Sequence, residues 1–277
     1  MKRHERTRIL VECALMVALG TVLSIFPLVE MPYGGSVTLA SMLPCLLIAY
    51  RHGTAWGLGT AFVHAVVQQL LGLKNLSYFT TWQSVVAVIV LDYLLAFVVI
   101  GLGGMFRKRI AQQNLALASG AVVVCVLRYI CHVIAGATVW AGLSIPTQAA
   151  LAYSFSYNAT YMIPEAIVLA VTAYYLGSVL DFGRELPTRM PSKQGQGLPD
   201  LLFALALLSA AVGVIVDIVL IGFHLQNPES GVLDFSLLAV PFVGSFWLAV
   251  VIVTNACLLV CVGLLIARKI ILARSKQ

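Results

Sequence analysis

A small set of polar side chains interrupts otherwise apolar runs, and their types and spacing define the chemistry on offer: His64, Gln68 and Gln69, then Asp92 and Tyr93, then Arg128 and His132, then Asn158 and Glu165. An ionisable or amide group among membrane-embedded helices is costly unless it pairs or faces a cavity, so each of these joins two helices or contributes to a binding site. Arg128 and His132 are four residues apart and share one helical face, to which Trp140 returns about two turns beyond His132. The outcome is one polar and aromatic stripe. Arg128 is expected either to pair with a buried acid or to support a pocket. His132 either hydrogen-bonds within the bundle or meets a ligand, and its place toward the outer side suits the second use.

The run Tyr153-Ser154-Phe155-Ser156-Tyr157-Asn158 brings aromatic faces, hydroxyls and an amide just before or at the entrance to a later span, a mixture that suits a heteroaromatic ligand. Interfacial aromatic belts are the other reading of Tyr153 and Trp140. Asp92, in LDYLLAF, can neutralise a cationic ligand or pair with Arg128. A cation over a Trp or Tyr ring gains about 0.5 to 2 kcal/mol, so carboxylate and rings are complementary parts of a cation site. Glu165 follows Pro164, which can bend a helix, and serves as a structural partner or a pocket residue; His64 stands beside it as possible support. Asp217 and Asn255 read as links between the last two spans, and Ala14 and Ala18 as a small-residue face where another helix can approach.

These residues require membrane helices to position them. The 277 residues are 61% hydrophobic and 10% charged, whereas soluble domains are about a quarter charged, so an integral membrane protein of the all-α class is expected. A span takes about 20 apolar residues. Eight spans are read at 9–29, 37–50, 54–71, 84–105, 115–140, 157–180, 201–223 and 235–266, the second short after the turn-prone Pro32-Tyr33-Gly34-Gly35 and the last open to division at Pro241, Gly244 or Asn255. The Pro- and Gly-rich stretch 181–200 divides a six-span domain, residues 1–180, from a two-span extension, residues 201–277. Fifteen of the 17 basic residues fall at breaks that alternation puts on one side, which places both termini in the cytoplasm. Their other partner is anionic lipid, and no basic and aromatic groove points to nucleic acid. Six cysteines within apolar segments, without paired spacing, read as packed small hydrophobes, and no metal site is expected.

From Ile9 to about Leu180 the chain resembles the thiamine-specific membrane subunit of energy-coupling-factor transporters, the thiamine transporter family. The resemblance is carried by VECALMVALG, MPYGGSVTLASMLP, YRHG, LDYLLAF, the segment from His132 to Trp140 and YSFSYN. It implies a six-helix substrate-binding subunit with an externally accessible thiamine site and no cofactor. The family's substrate positions carry over to Asp92, Tyr93, His132, Gly136, Trp140, Tyr153, Ser154 and Asn158. Trp140 and Tyr153 would cradle the aromatic rings, Asp92 would supply negative charge, and Asn158 and His132 would hydrogen-bond. Ala14 and Ala18 would dock the transmembrane coupling subunit, which works with two cytoplasmic ATPases. The chain itself has no GxxxxGK[ST] phosphate loop, so it is read as a transport component and not an enzyme. A solitary secondary transporter of an organic cation, coupled to ions through Asp92, Glu165 or Asp217, is the alternative.

Overall fold

The computed structural model describes residues 3–31, 34–143, 145, 147–148, 150–190, 197–227, 233–234, 237 and 245–274. Among them the chain is helical apart from two minimal hairpins. The helices are α1 (Arg3–Ile25), α2 (Leu43–His52), α3 (Thr54–Leu71), α4 (Trp82–Leu102), α5 (Gln113–Thr138), α6 (Ala150–Val179), α7 (Gly197–Leu225) and α8 (Ser245–Arg274). Strands β1 (Val29–Glu30) and β2 (Ser36–Val37) pair antiparallel between α1 and α2; β3 (Leu180–Asp181) and β4 (Thr188–Arg189) do so after α6.

Six of the eight expected spans, in α1, α4, α5, α6, α7 and α8, form helices long and apolar enough to cross a membrane by length and composition. The other two are shorter. The ten residues of α2 reach about 15 Å, half the hydrocarbon thickness, and the 18 of α3 reach about 27 Å and carry His64, Gln68 and Gln69. Only Gly53 separates them. The expected last span shifts: α8 runs unbroken through Asn255, while Pro241 and Gly244 lie outside the described residues, as do Pro32 and Tyr33. Helix α6 begins at Ala150, so the Tyr153–Asn158 run lies inside the helix and not at its entrance.

The chain divides into two compact units, Met1–Gly177 and Ser178–Gln277. In the first, the core is built around α2, where Cys45, Leu46, Ile48 and Ala49 have no exposure, and it includes Cys13 and Cys125. The opposite side of α1 is left uncovered: Leu10, Val11, Leu15, Leu19 and Val22 are exposed, and Ala14 and Ala18 stand exposed among them. In the second unit α7 packs on α8. Asp217 does link these helices, accepting from Thr254 Oγ1 at 2.5 Å, but Asn255 does not, because its amide turns back to the carbonyl of Val251 in its own helix at 2.8 Å.

Candidate functional site

The polar residues of α3 to α6 meet in the first unit around a cavity of about 380 Å³. Its central acid comes from an irregular helix. Within α4, residues Ile89–Leu95 form a π-helical turn with i→i+5 bonding. A wider turn advances each residue less around the axis, which brings the adjacent Asp92 and Tyr93 to one side; both line the cavity. Asp92 Oδ1 lies 2.9 Å from His132 Nδ1, and Asp92 Oδ2 accepts from Trp140 Nε1 at 2.7 Å. Facing a carboxylate, Nδ1 of His132 carries the proton. Its Nε2 is buried and has no hydrogen-bond partner among the described residues.

Rings and amides complete the walls. Trp140 packs edge-on against Phe79, with centroids 4.7 Å apart, and near Tyr78 at 5.9 Å. Tyr93 Oη accepts from Asn75 Nδ2 at 2.9 Å and donates to the Gly72 carbonyl at 3.3 Å. A Cβ on Gly72 would fall 2.2 Å from Tyr93 Oη, so only glycine leaves Tyr93 its place. Gly136 on α5 also allows close approach: an added Cβ would meet Ser154 Oγ at 2.1 Å. Ser154 donates to the Val133 carbonyl at 2.9 Å, and Asn158 Nδ2 donates to the Ser154 carbonyl at 2.8 Å. Asn158 Oδ1 accepts from Tyr161 Oη. This network fixes α6 against α5 and turns Tyr161 and Asn158 to the cavity.

Seven of the candidate site residues therefore share the lining, Asp92, Tyr93, Arg128, His132, Gly136, Trp140 and Asn158, together with Gln68 and Tyr157 from the polar and aromatic runs; Gln68 donates to Ser24 Oγ at 2.8 Å. Four stand behind it. Tyr153 is buried and stacks on Tyr157 at 6.4 Å, Ser154 supports Asn158, His64 lies fully buried edge-on to Phe97 at 5.8 Å, and Glu165 is bonded to Thr38. Arg128 departs from the expected pairing with an acid. Its guanidinium sits 4.1 Å from the centre of the Phe97 ring, and Nη1 is 3.0 Å from Met42 Sδ. Asp92 is engaged by His132 and Trp140, and the arginine takes a cation–π contact.

Other lining residues escaped the sequence reading. Glu30 and Lys74, an exposed pair at 3.3 Å, border the space, as do Asn75 and Tyr161. Tyr161 carried a usable signal, since four-residue spacing puts it on one face of α6 with Tyr157 and Glu165. Glu30, Lys74 and Asn75 carried none, because short connections have no periodicity.

Comparisons with known proteins relate the first unit to thiamine transporters. The thiamine transporter ThiT of Bacillus subtilis (strain 168) is 34% identical over 173 residues, covering 58% of this chain and 86% of that protein. The solved structure of ThiT from Listeria monocytogenes is similar with a TM-score of 0.51 at 25% identity, covering 62% of this chain and 94% of that one. The sequence model of the thiamine transporter protein family (Thia_YuaJ) matches residues 10–181, which hold every lining residue described above, and the chain belongs to that family.

Proposed function

We propose that this integral membrane protein captures thiamine in the cavity of its first unit and serves as the substrate-binding subunit of an uptake system. The observation that carries this reading is Asp92 in the cavity wall, held by His132 and Trp140 among aromatic rings. Thiamine joins a cationic thiazolium to an aminopyrimidine. The carboxylate and the faces of Trp140, Tyr157 and Tyr161 suit the cation, while His132 Nε2 and Asn158 offer hydrogen bonds to the pyrimidine. The volume lies in the range of small-molecule sites, about 300 to 1,000 Å³. Tyr153 and Ser154 act in this scheme by holding Tyr157 and Asn158 in place. Arg128 supports the Phe97 wall, and His64 backs it.

Energy comes from a separate module. The chain docks a transmembrane coupling subunit through the exposed face of α1 around Ala14 and Ala18, and two cytoplasmic ATPases drive transport; both termini face the cytoplasm. Reconstitution tests this division. Thiamine uptake into liposomes is expected only with the coupling subunit, the ATPases and internal ATP. Uptake by the chain alone, driven by an ion gradient, would contradict it and favour a solitary secondary transporter of organic cations.

A further inference from the structure

Glu165 lies behind the cavity, 1% exposed, and its carboxylate is occupied by one residue of the connection between α1 and α2. Thr38 donates its backbone N–H to Oε2 at 2.5 Å and its hydroxyl to Oε1 at 2.6 Å. The same hydroxyl oxygen accepts from the backbone N–H of Ser41 at 3.2 Å and lies 2.8 Å from Ser41 Oγ. Between the two, Ala40 holds a φ of 56°, a left-handed conformation that a residue with a Cβ keeps only where its surroundings compel it.

The contact is the last of three along one face of α6. Tyr157 Oη donates to the Gly34 carbonyl at 3.3 Å. Gly35, with φ at 90°, lies so close to the Tyr161 ring that an added Cβ would fall 2.6 Å from Cε1. Tyr157, Tyr161 and Glu165, at successive four-residue steps, thus hold Gly34, Gly35 and Thr38 in order. Gly34, Gly35 and Ser36 line the cavity.

We propose that Glu165 is a positioning residue: acting through Thr38, it fixes residues 34–42, which lead into α2, as a cavity wall and so slows the release of bound substrate. The reading of the cavity as a thiamine site supplies only the probe. A carboxylate takes both Thr38 donors at once, the N–H on one oxygen and the hydroxyl on the other, as charge-assisted bonds. Glutamine keeps an oxygen for the Thr38 N–H, but its NH2 makes the Thr38 hydroxyl turn its proton to Ser41 Oγ and accept, which replaces a charge-assisted bond with a weaker neutral one. Thr38→Val removes one donor while keeping the branched Cβ.

The test compares the full-length purified chain with Glu165→Gln, Thr38→Val and the double variant, by amide hydrogen exchange over residues 34–42 without ligand and by thiamine binding kinetics. Each single variant is expected to speed exchange there about tenfold, leave α5 unchanged, and raise the thiamine dissociation rate about tenfold with association within about twofold. The double variant should be no worse than the more severe single one. Unchanged exchange in both single variants would overturn the proposal. So would acceleration spreading through α5, faster exchange with unaltered release, or a multiplicative loss of about a hundredfold in the double variant. A wild-type chain that binds no thiamine would strike the function proposed above, and the exchange comparison would then decide the anchor by itself.

Discussion

Asp92 and Asp217 are both acids within apolar helices, and the two units of the chain put them to different uses. In Ser178–Gln277, Asp217 takes the hydroxyl of Thr254 across the helix pair, Ser209 donates to the Cys257 carbonyl at 2.9 Å, and a Cβ on Gly213 would come within 2.8 Å of Cys257 Cβ. These contacts fasten α7 to α8. In Met1–Gly177, Asp92 instead stands in a cavity wall beside an unpartnered His132 nitrogen and several rings. An intramembrane acid is therefore not a ligand site by itself. The cavity beside the acid, and not an unfilled oxygen, marks the difference: both oxygens of Asp92 are bonded, while Asp217 Oδ1 is buried without a hydrogen-bond partner among the described residues.

Several substitutions probe that contrast. The largest effect is expected from Asp92→Asn, which removes the negative charge and sets an NH2 against one of two N–H donors; thiamine affinity should fall about a hundredfold, near 3 kcal/mol, by titration calorimetry. Asp217→Asn should leave it within about twofold, and an equal loss would erase the distinction between the units. Trp140→Ala deletes both an N–H donor to Asp92 and a cavity ring and should cost about thirtyfold, or about 2 kcal/mol. Gly72→Ala, which drives a methyl into Tyr93, is expected to weaken binding about tenfold while the chain stays folded in gel filtration. Thr254→Val belongs to the other unit: it should lower thermal stability by about 1 kcal/mol and leave thiamine affinity alone. Ending the chain after Asp200 should also leave affinity within about twofold, because every described lining residue precedes the cut.

Much of this arrangement was legible in residue order. The apolar runs of α1 and α4 to α8 exceed what any soluble helix needs, and Thr54–Leu71 matches its expected bounds. Asp92, His132, Trp140 and Asn158 stood out because polar groups are rare in such runs. Other features depend on which helices meet, and periodicity describes only one helix at a time. That is why Arg128 against Phe97, Glu165 against Thr38 and the retreat of Tyr153 behind Tyr157 came only from the structure. The π-turn at Ile89–Leu95 likewise follows from packing, since its sequence reads as an ordinary apolar helix. The hairpin of β1 and β2 is two residues per strand, too short for any alternation to register.

The claim that the first unit is a thiamine site is tested most directly by equilibrium binding of thiamine to the purified full-length chain, alongside a panel of other vitamins. Saturable binding of one thiamine per chain, with the other vitamins failing to compete, is the result predicted here. Absence of binding, or equal affinity across the panel, would contradict it.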